Sequence, residues 1–399
     1  MFDNLKILEK RLLNDLTITH RRYLFDEINF DAQMIAIMGS RGVGKTTLLI
    51  QYLKDLKDLY PSHKSLYMSY DHPSNVDINL YKLAEEFASL GGKYLLLDEM
   101  HKYANFSTDL KAIYDFYPNL KIIFTGSCAS SIYNSQADLS RRVVLYNMHG
   151  LSYREFLEIK LDIKLCKYSL DNILKNSIDI VDEISTDILP LEYFSEYLEK
   201  GYYPFYFHDQ VSYLQQLNAV VNLTIDVDFV SLGLVKSSFT HKLKKLLNIL
   251  CYSKPFELNV TKVAANIEVS RNTLYAYLQH LDRGALLNVV YDNKKGISSL
   301  SKPEKFYLNN TNLFYTLCIN PEIGTLRETF FTNQVKVKHT LTTTSQGDFI
   351  VDDKLRFEIG GKSKSFKQIK DMPNSYIVID TDVTQNTYKI PLWLFGFLY

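Results

Sequence analysis

Residues 39–46 read GSRGVGKT, and an apolar run, MIAIM at 34–38, comes directly before them. The run predicts a buried strand, and TTLLIQYL at 46–53 predicts a helix. Glycines lack a Cβ atom, so the connecting loop can turn its backbone N–H groups inward around an anion. The N-terminus of the following helix adds a partial positive charge there. The stretch fits G-x-x-x-x-G-K-[ST] at every fixed position and therefore predicts a phosphate-binding loop.

The side chains of this loop indicate a nucleoside triphosphate with Mg²⁺ as the ligand. Lys45 would reach the β- and γ-phosphates as a point charge, and the Thr46 hydroxyl would ligate the metal ion. The predicted phosphate-binding residues are Gly39, Ser40, Arg41, Gly42, Val43, Gly44, Lys45, Thr46 and Thr47.

A second motif, YLLLDE at 94–99, is a short apolar strand that ends in two carboxylates. Asp98 would hold Mg²⁺, directly or through water, and Glu99 would polarise the attacking water as a general base. Metal binding alone needs one carboxylate, whereas hydrolysis needs the second. The alternative is a solvated acidic turn after a core strand.

The first part of the chain alternates between strand and helix patterns after an amphipathic helix at 2–14. This alternation predicts an α/β fold in which a mostly parallel sheet carries helices on both faces. Both motifs fall at the carboxyl ends of strands, where ligands bind in open α/β sheets. The predicted strands are 33–38, 64–69, 93–97, 120–125 and 143–147.

Two further places at this sheet have candidate roles. The strand at 120–125 leads into small polar residues, and Thr125 or Ser127 would sense the γ-phosphate; the alternative is that Ser127 caps the next helix. Arg142, next to Arg141, would contact phosphate in cis or act as a finger toward a neighbouring subunit. The alternative for Arg142 is a surface ion pair.

The composition is that of a soluble globular protein, with 46% hydrophobic and 23% charged residues among 399. Its 45 basic and 45 acidic side chains argue against coating of nucleic acid through bulk charge. The N-terminus lacks a signal-peptide pattern and no run approaches ~18 apolar residues, which predicts a cytoplasmic protein without membrane segments. The cysteines suggest neither a zinc site nor a disulfide framework, because Cys128, Cys166, Cys251 and Cys318 lie far apart.

Residues 151–238 are helix-rich and aromatic, and we interpret them as a helical lid or connector behind an ATPase core at 1–150. They contain GYYPF at 201–205, an aromatic turn for which the sequence gives no role.

Residues 239–308 have the pattern of a winged helix-turn-helix. Three helices are predicted, at 239–250, 259–267 and 271–281, followed by a strand at 285–291. Ser270 would cap the third helix, which would lie in a major groove. The alternative is a packing domain without DNA contact. The candidate DNA contacts on this helix are Arg271, Asn272, Tyr275 and Gln279.

Residues 309–399 have an acidic pattern of their own. Predicted strands at 347–351 and 355–359 carry Asp348 and Glu358, which could share a divalent metal as in PD-(D/E)xK nucleases. That motif has a lysine two residues after the second acid, where this chain has a glycine. Lys362 is displaced by about 7 Å along the strand, which argues against cleavage. A basic helix at 363–370 and a strand at 376–380 complete the pattern.

With these motifs placed, the chain resembles a widespread prokaryotic family of AAA-type ATPases. The resemblance is carried by GSRGVGKTTLL at 39–49, LLLDEMHK at 95–102, FTGSCASSI at 124–132, LSYREFL at 151–157, GYYPF at 201–205 and the segment 347–369. That family joins an ATPase core to a winged helix and a nuclease-like C-terminal domain. The resemblance implies ATP as the nucleotide and transfers the loop and carboxylate roles to Lys45, Thr46, Asp98 and Glu99.

Three hypotheses follow for the whole chain. The first is a Mg²⁺-dependent ATPase that acts as a conformational switch, with the winged helix and C-terminal domain as its output. The second is a nucleotide-gated regulator of double-stranded DNA or of a partner protein, with little turnover. The third is an ATP-controlled nuclease. The sequence leaves oligomerisation open.

Overall fold

The computed structural model describes residues 2–17, 19–127, 139, 141–252, 259–292, 303–365, 369, 372–382 and 388–399. The chain divides into two compact units, Met1–Gly150 and Leu151–Tyr399. We describe each unit by itself.

The first unit is built on a five-stranded sheet in which every adjacent pair of strands is parallel. The strands are β1 Met34–Gly39, β2 Ser65–Ser69, β3 Tyr94–Asp98, β4 Lys121–Ser127 and β5 Val144–Asn147. Their order across the sheet is β2-β3-β4-β1-β5. The five apolar runs therefore form strands as predicted, and the α/β fold class is confirmed for this unit.

Helices connect these strands, as parallel pairing requires. The connecting helices among the described residues are α2 Lys45–Leu59, α3 Leu80–Ser89 and α4 Phe106–Phe116, while α1 Phe2–Asn14 precedes β1. The predicted N-terminal helix is confirmed: Leu5 of α1 is buried in the apolar core. Glu9 accepts a hydrogen bond from the Tyr67 amide and pairs with Lys57, so α1 is held by polar contacts as well.

The chemistry of this unit gathers at one edge of its sheet. The strands β1, β3 and β4 are adjacent and parallel, so their carboxyl ends meet. We call this the carboxyl edge. Because Gly39, Asp98 and Ser127 are the last residues of the three strands, the fold places both sequence motifs beside each other.

The second unit begins with helices. They are α5 Tyr153–Leu161, α6 Leu170–Asp187, α7 Pro190–Lys200, α8 Tyr213–Leu223, α9 Thr240–Cys251, α10 Val260–Asn266, α11 Arg271–Arg283, α12 Thr311–Leu317 and α13 Ile323–Val335. A capping box fixes the start of α5, because Ser152 and Glu155 each accept from the other's backbone amide. The segment LSYREFL therefore has a local structural role.

The aromatic turn at 201–205 packs within this helical part. Its Tyr202 and Tyr203 are buried, and the Tyr202 amide donates to Asn312 Oδ1 at 2.8 Å. The same Asn312 Oδ1 atom also accepts a hydrogen bond from the Tyr213 hydroxyl at 2.5 Å. These contacts give the turn a packing role that the sequence alone did not supply.

A seven-stranded mixed sheet completes the second unit. Its strands are β6 Leu287–Asp292, β7 Pro303–Leu308, β8 Leu341–Thr343, β9 Phe349–Val351, β10 Leu355–Gly360, β11 Ser375–Ile379 and β12 Lys389–Pro391. The order is β12-β11-β10-β9-β8-β6-β7. Strands β6 and β7 come from the predicted winged helix, yet they pair into the same sheet as the C-terminal strands. The two segments divided at 308/309 thus share one sheet.

The three helices predicted at 239–281 are present as α9, α10 and α11. Ser270 caps α11 by accepting from the Thr273 amide, as expected, and β6 pairs antiparallel with β7. Residues 293–302, between these two strands, lie outside the described residues. The function of these elements as a winged helix stays a prediction.

Two local predictions for this unit are wrong. The segment 363–370 is not a helix where it is described, since 363–365 and 369 lie in turns or irregular chain. Cys251 and Cys318 form a disulfide, whereas the cysteine spacing predicted none. They are 67 residues apart, and only the packing of α9 against α12 brings their Cα atoms to 5.4 Å.

Candidate nucleotide-binding site

The phosphate loop, residues 39–46, connects β1 to α2 at the carboxyl edge. Gly42 and Gly44 have φ values of 82° and 100°, in the left-handed region that glycine adopts without steric cost. Gly39 is tightly enclosed, because a Cβ atom there would lie 2.5 Å from the Met148 carbonyl oxygen. Since α2 begins at Lys45, its first backbone amides open into this loop, as anion binding requires.

Lys45 is held against the loop in the nucleotide-free chain. Its Nζ atom donates to the carbonyl oxygens of Gly39 at 2.8 Å and Ser40 at 2.9 Å, and the residue is buried. The ammonium group is therefore already positioned inside the loop where phosphate oxygens would bind. Of the remaining predicted contacts, Ser40, Arg41 and Thr47 are half-buried in or beside the loop.

Asp98 lies at the end of β3 and is 3% exposed. Its carboxylate accepts from the Thr46 hydroxyl at 2.7 Å and from the Tyr67 hydroxyl at 3.1 Å, both at Oδ2. Thr125 donates to the other oxygen, Oδ1. The structure thus brings together the two residues that the sequence assigned to the metal, Thr46 and Asp98.

Burial raises the pKa of Asp98, and the negative charge of Glu99 raises it further. Hydrogen bonds from Thr125 and Thr46 and the charge of Lys45 oppose this rise. Burial, followed by the charge of Asp98, also raises the pKa of Tyr67, which keeps that hydroxyl neutral and able to donate. A bound cation would stabilise the ionised form of this buried carboxylate, so the raised pKa is consistent with a metal ligand.

Glu99 follows Asp98 in a left-handed conformation with φ 55°. This region is costly for a residue other than glycine and often marks a functional position. The Glu99 amide donates to Thr125 Oγ1 at 3.0 Å, and its Oε2 lies 3.2 Å from His101 Nδ1. The Glu99 side chain is 15% exposed and that of His101 is 4% exposed, so the carboxylate lies at the boundary with solvent.

Thr125 and Ser127 occupy different places at the end of β4. Thr125 is fully buried and bridges the Asp98 carboxylate and the Glu99 amide, so its hydroxyl is committed to the two acidic residues. Ser127 is also buried and lies opposite Gly39 in the pairing of β1 with β4. Ser127 is therefore the candidate beside the phosphate loop, and its sensing role stays a prediction.

Arg22 is a residue of this site that the sequence did not reveal. Its buried guanidinium donates to the carbonyl oxygens of Val43 in the loop and of His149 and Gly150, the latter two at 2.8 Å. Tyr67 was missed as well. Both come from segments distant in sequence, and no local motif marks them.

The prediction that Arg142 contacts phosphate in cis is wrong. Arg142 precedes β5, and because β5 runs parallel to β1, the start of β5 lies at the opposite edge of the sheet from the phosphate loop. Its guanidinium instead forms a two-pronged ion pair with Asp115, at 2.9 and 3.0 Å. This is the ion pair that the sequence left as the alternative.

The predicted C-terminal acidic site is only partly assembled as expected. Asp348 and Glu358 flank the β9–β10 hairpin, but Lys362 is exposed in a turn and has no part in the cluster. Lys364 pairs with Glu358 instead. Within the described ranges, no group of three or more His, Cys, Asp or Glu side chains is arranged to hold a metal ion.

The candidate DNA contacts lie along α11. Arg271, Asn272 and Gln279 are exposed and Tyr275 is half-buried, whereas Leu274 and Leu278 face the core. The helix therefore has a polar face free of core packing. Their role in DNA contact stays a prediction.

Comparison with known protein families assigns part of the chain. Residues 31–157 match the model of a family described as an AAA domain, and residues 191–323 match a domain of unknown function, DUF8612. Residues 31–157 are therefore similar to an AAA domain, in agreement with the parallel sheet and the phosphate loop at the carboxyl end of β1. The second match extends across the predicted boundaries at 238/239 and 308/309.

A relative at the level of whole sequences is an uncharacterized protein of Methanocaldococcus jannaschii. It is 28% identical over 277 residues, which cover 66% of this chain and 58% of that protein. The chain thus matches less than two thirds of the relative's length.

Among solved structures, the chain matches AMPPCP-bound DnaA from Aquifex aeolicus and the Hsp104–ADP complex of S. cerevisiae. The DnaA match has a TM-score of 0.25 at 14% identity and covers 70% of this chain and 88% of that one. The Hsp104 match has a TM-score of 0.29 at 16% identity, with coverages of 70% and 41%. Among the described helices, none is both long and apolar enough to cross a membrane.

Proposed function

We propose that this protein binds ATP with Mg²⁺ at the phosphate loop and hydrolyses it. The observation that carries the proposal is the 2.7 Å contact between the Thr46 hydroxyl and the Asp98 carboxylate, next to the Lys45 ammonium. A hydroxyl and a carboxylate are the oxygen ligands that Mg²⁺ prefers. The chain's own residues therefore fit the metal, and when bound it would neutralise charge on the β- and γ-phosphates.

Lys45 and the amino end of α2 bind and orient the triphosphate. Lys45 exchanges its loop carbonyl partners for phosphate oxygens, so little rearrangement of the side chain is needed. The open backbone amides of the loop and the helix dipole add attraction for the same anion. These groups hold the γ-phosphate next to Asp98 and Glu99.

Glu99 acts as the general base that takes a proton from the attacking water. Its left-handed backbone turns it out of the β3 strand, and its partly exposed carboxylate can reach a water molecule. Thr125 fixes the Glu99 amide, while His101 contacts the carboxylate. Thr125 and His101 are positioning residues, because they act through Glu99.

We also propose that hydrolysis operates a conformational switch. Arg22 joins the phosphate loop, through the Val43 carbonyl, to His149 and Gly150 at the end of the first unit. A change in loop conformation on nucleotide binding or release would therefore alter the support of that segment. The output of the switch is assigned to residues 151–399.

The experiment for hydrolysis is a phosphate-release assay on the purified chain with and without Mg²⁺. We expect turnover in the wild type, no nucleotide binding in Lys45→Ala, and binding without turnover in Glu99→Gln. Equal turnover in the wild type and Lys45→Ala would reject the proposal.

A second candidate function is a nucleotide-gated DNA binder with little turnover. The observation in its favour is the exposed face of α11 with Arg271, Asn272 and Gln279 next to a capped N-terminus. Titration of duplex DNA at two salt concentrations, with and without ATP, tests it. Binding through phosphates should weaken steeply with salt. If no DNA binds at low salt, with or without ATP, this candidate function is excluded. A regulator of a partner protein would then have to bind that protein through a surface other than this face of α11.

A further inference from the structure

A second cluster of buried charge lies in the unit 151–399, around Lys305 of β7. The Lys305 side chain is 0% exposed. Its Nζ atom lies 3.5 Å from Glu328 Oε2 and 3.8 Å from Asp348 Oδ1. The ammonium also lies 4.7 Å from the centre of the Phe349 ring. A lysine thus occupies the space between Glu328, which the sequence analysis did not single out, and Asp348 of the predicted nuclease-like site.

The carboxylates of this cluster have further partners. The Tyr307 hydroxyl donates to Glu328, and the Ile359 amide donates to Asp348 Oδ2 at 2.7 Å. Glu358, which is 2% exposed, pairs with Lys364 at 2.5 Å. Each of the three carboxylates is therefore satisfied by groups of the chain itself.

Lys364 replaces the lysine that the nuclease motif has at position 360. A Cβ atom built on Gly360 would lie 2.7 Å from both Cγ and Cδ of Lys364. The Lys364 side chain therefore fills the space of a residue-360 side chain and delivers its ammonium to the cluster from four residues further on. There it is bound to Glu358, so it is not free to activate a water molecule.

A divalent ion among these carboxylates would lie close to a buried ammonium. Like charges separated by about 4 Å repel strongly inside a protein, by more than the free energy of a tenfold affinity change. Lys305 cannot move to solvent without leaving the half-buried carboxylates of Glu328 and Asp348 without this partner, which is costly. The geometry therefore excludes a metal ion unless Lys305 is removed.

We propose that the Lys305 ammonium takes the place of a divalent cation in this carboxylate cluster, so that the second unit binds no metal there and does not cleave DNA by a metal-dependent route. This inference goes beyond ATP hydrolysis and does not depend on it. It also decides against the third hypothesis from the sequence, an ATP-controlled nuclease.

The test follows Mn²⁺ binding by electron paramagnetic resonance on the full chain without nucleotide. All proteins carry Asp98→Asn, so that the phosphate loop contributes no metal signal. We expect Mn²⁺ binding by this parent protein to be unchanged when Asp348→Asn is added. Lys305→Met keeps most of the apolar side chain and should bind Mn²⁺ at least about tenfold more tightly than the parent. Adding Asp348→Asn to Lys305→Met should abolish the gain.

Lys336→Met is the matched control, because Lys336 is a lysine of the same unit whose ammonium bonds elsewhere. Its Nζ donates to Asn288 Oδ1 at 2.6 Å and to the Val289 carbonyl at 3.0 Å. Loss of this ammonium should bring no Mn²⁺ affinity.

Three results would overturn the proposal. The first is a Mn²⁺ site in the parent protein that Asp348→Asn removes. If Lys305→Met does not fold, this comparison of the parent with and without Asp348→Asn tests the proposal by itself. The second is a folded Lys305→Met protein without any gain in Mn²⁺ affinity. The third is nicking of supercoiled plasmid by the wild type with Mg²⁺ or Mn²⁺ that Asp348→Asn abolishes.

Discussion

The Thr46 hydroxyl donates a 2.7 Å hydrogen bond to Asp98 Oδ2, although the two residues are 52 positions apart in the chain. One side chain opens helix α2 and the other ends strand β3, so their contact joins the two sequence motifs. The Tyr67 and Thr125 hydroxyls bind the same carboxylate. Three hydroxyl groups thus share the stabilisation of this buried carboxylate.

The first prediction is that Asp98→Asn stabilises the nucleotide-free protein while abolishing ATP turnover. Burial raises the pKa of Asp98, so its ionised form is disfavoured in the folded chain. The neutral amide removes that penalty but also removes the metal ligand. Thermal unfolding without nucleotide should give a higher melting temperature for the variant than for the wild type, and MgATP should narrow or reverse the difference.

The sign of the pH dependence follows from the same raised pKa. The stability that Asp98 contributes is fully present below its unfolded pKa, near 3.8, and is lost as the pH rises through the higher folded pKa. Asp98→Asn should therefore flatten this part of the stability profile, measured by urea unfolding at several pH values. Asp58→Asn, at an exposed position on α2, is the control. A variant that melts below the wild type at neutral pH would contradict the argument.

The second prediction concerns Glu99→Gln. Loss of the general base should lower kcat by about 10²- to 10⁴-fold, while ATP affinity changes little because Lys45 and the loop are intact. Phosphate release measures kcat, and calorimetry measures binding. Glu86→Gln, on an exposed face of α3, should leave both unchanged. Equal turnover in Glu99→Gln and wild type would show that another group activates the water.

Local strings carried the prediction of the candidate site in the first unit. The loop at 39–46 and the pair Asp98–Glu99 are each contiguous, and the apolar runs before them predicted strands that the structure has. Tyr67 and Arg22 could not be found this way. Tyr67 reaches Asp98 from the neighbouring strand, and Arg22 reaches His149 across 127 positions. Such contacts depend on the strand order, which a single sequence does not specify.

The second unit was less predictable because its pairings are long-range. Strand β6 pairs parallel with β8, where Tyr291 lies opposite Thr342, and this pairing joins two segments that the sequence pattern divided. The Lys364 side chain enters the acidic cluster over Gly360, where the spacing rule pointed to Lys362. The rule assumed that the strand continues, whereas the chain turns after Gly360.

The third prediction is that Thr125→Val lowers both stability and turnover. Valine has a similar shape but leaves Asp98 Oδ1 without this donor and the Glu99 amide without its acceptor. An unsatisfied buried group costs about 1–3 kcal/mol, so the urea midpoint should fall. Turnover should fall with it, since the Glu99 backbone loses its anchor. Thr125→Ser keeps the hydroxyl and should restore most of the activity; failure of this rescue would assign the effect to packing.

The fourth prediction compares two adjacent arginines. Arg22→Met removes the donor of three carbonyl oxygens, including that of Val43 in the phosphate loop, and should destabilise the chain by about 1–3 kcal/mol or more. ATP affinity should weaken because the loop loses its support. Arg21→Met removes a partly exposed ion pair with Asp55 and a cation–π contact with Phe25, and should change little. Equal effects of the two substitutions would contradict a specific role for Arg22.

The fifth prediction is that Arg142→Ala leaves ATP turnover within roughly twofold of the wild type, as expected for the loss of an exposed ion pair. Arg142 pairs with Asp115 at the edge of the sheet opposite the phosphate loop, and this pairing lowers the pKa of the Asp115 carboxyl. Phosphate release at several protein concentrations is the measurement, with Asp115→Asn as the matched partner variant. A large loss in Arg142→Ala but not in Asp115→Asn, growing with protein concentration, would instead identify Arg142 as a finger for the nucleotide of a neighbouring subunit. Equal, small effects of both substitutions on turnover would show that Arg142 serves only in the surface ion pair with Asp115.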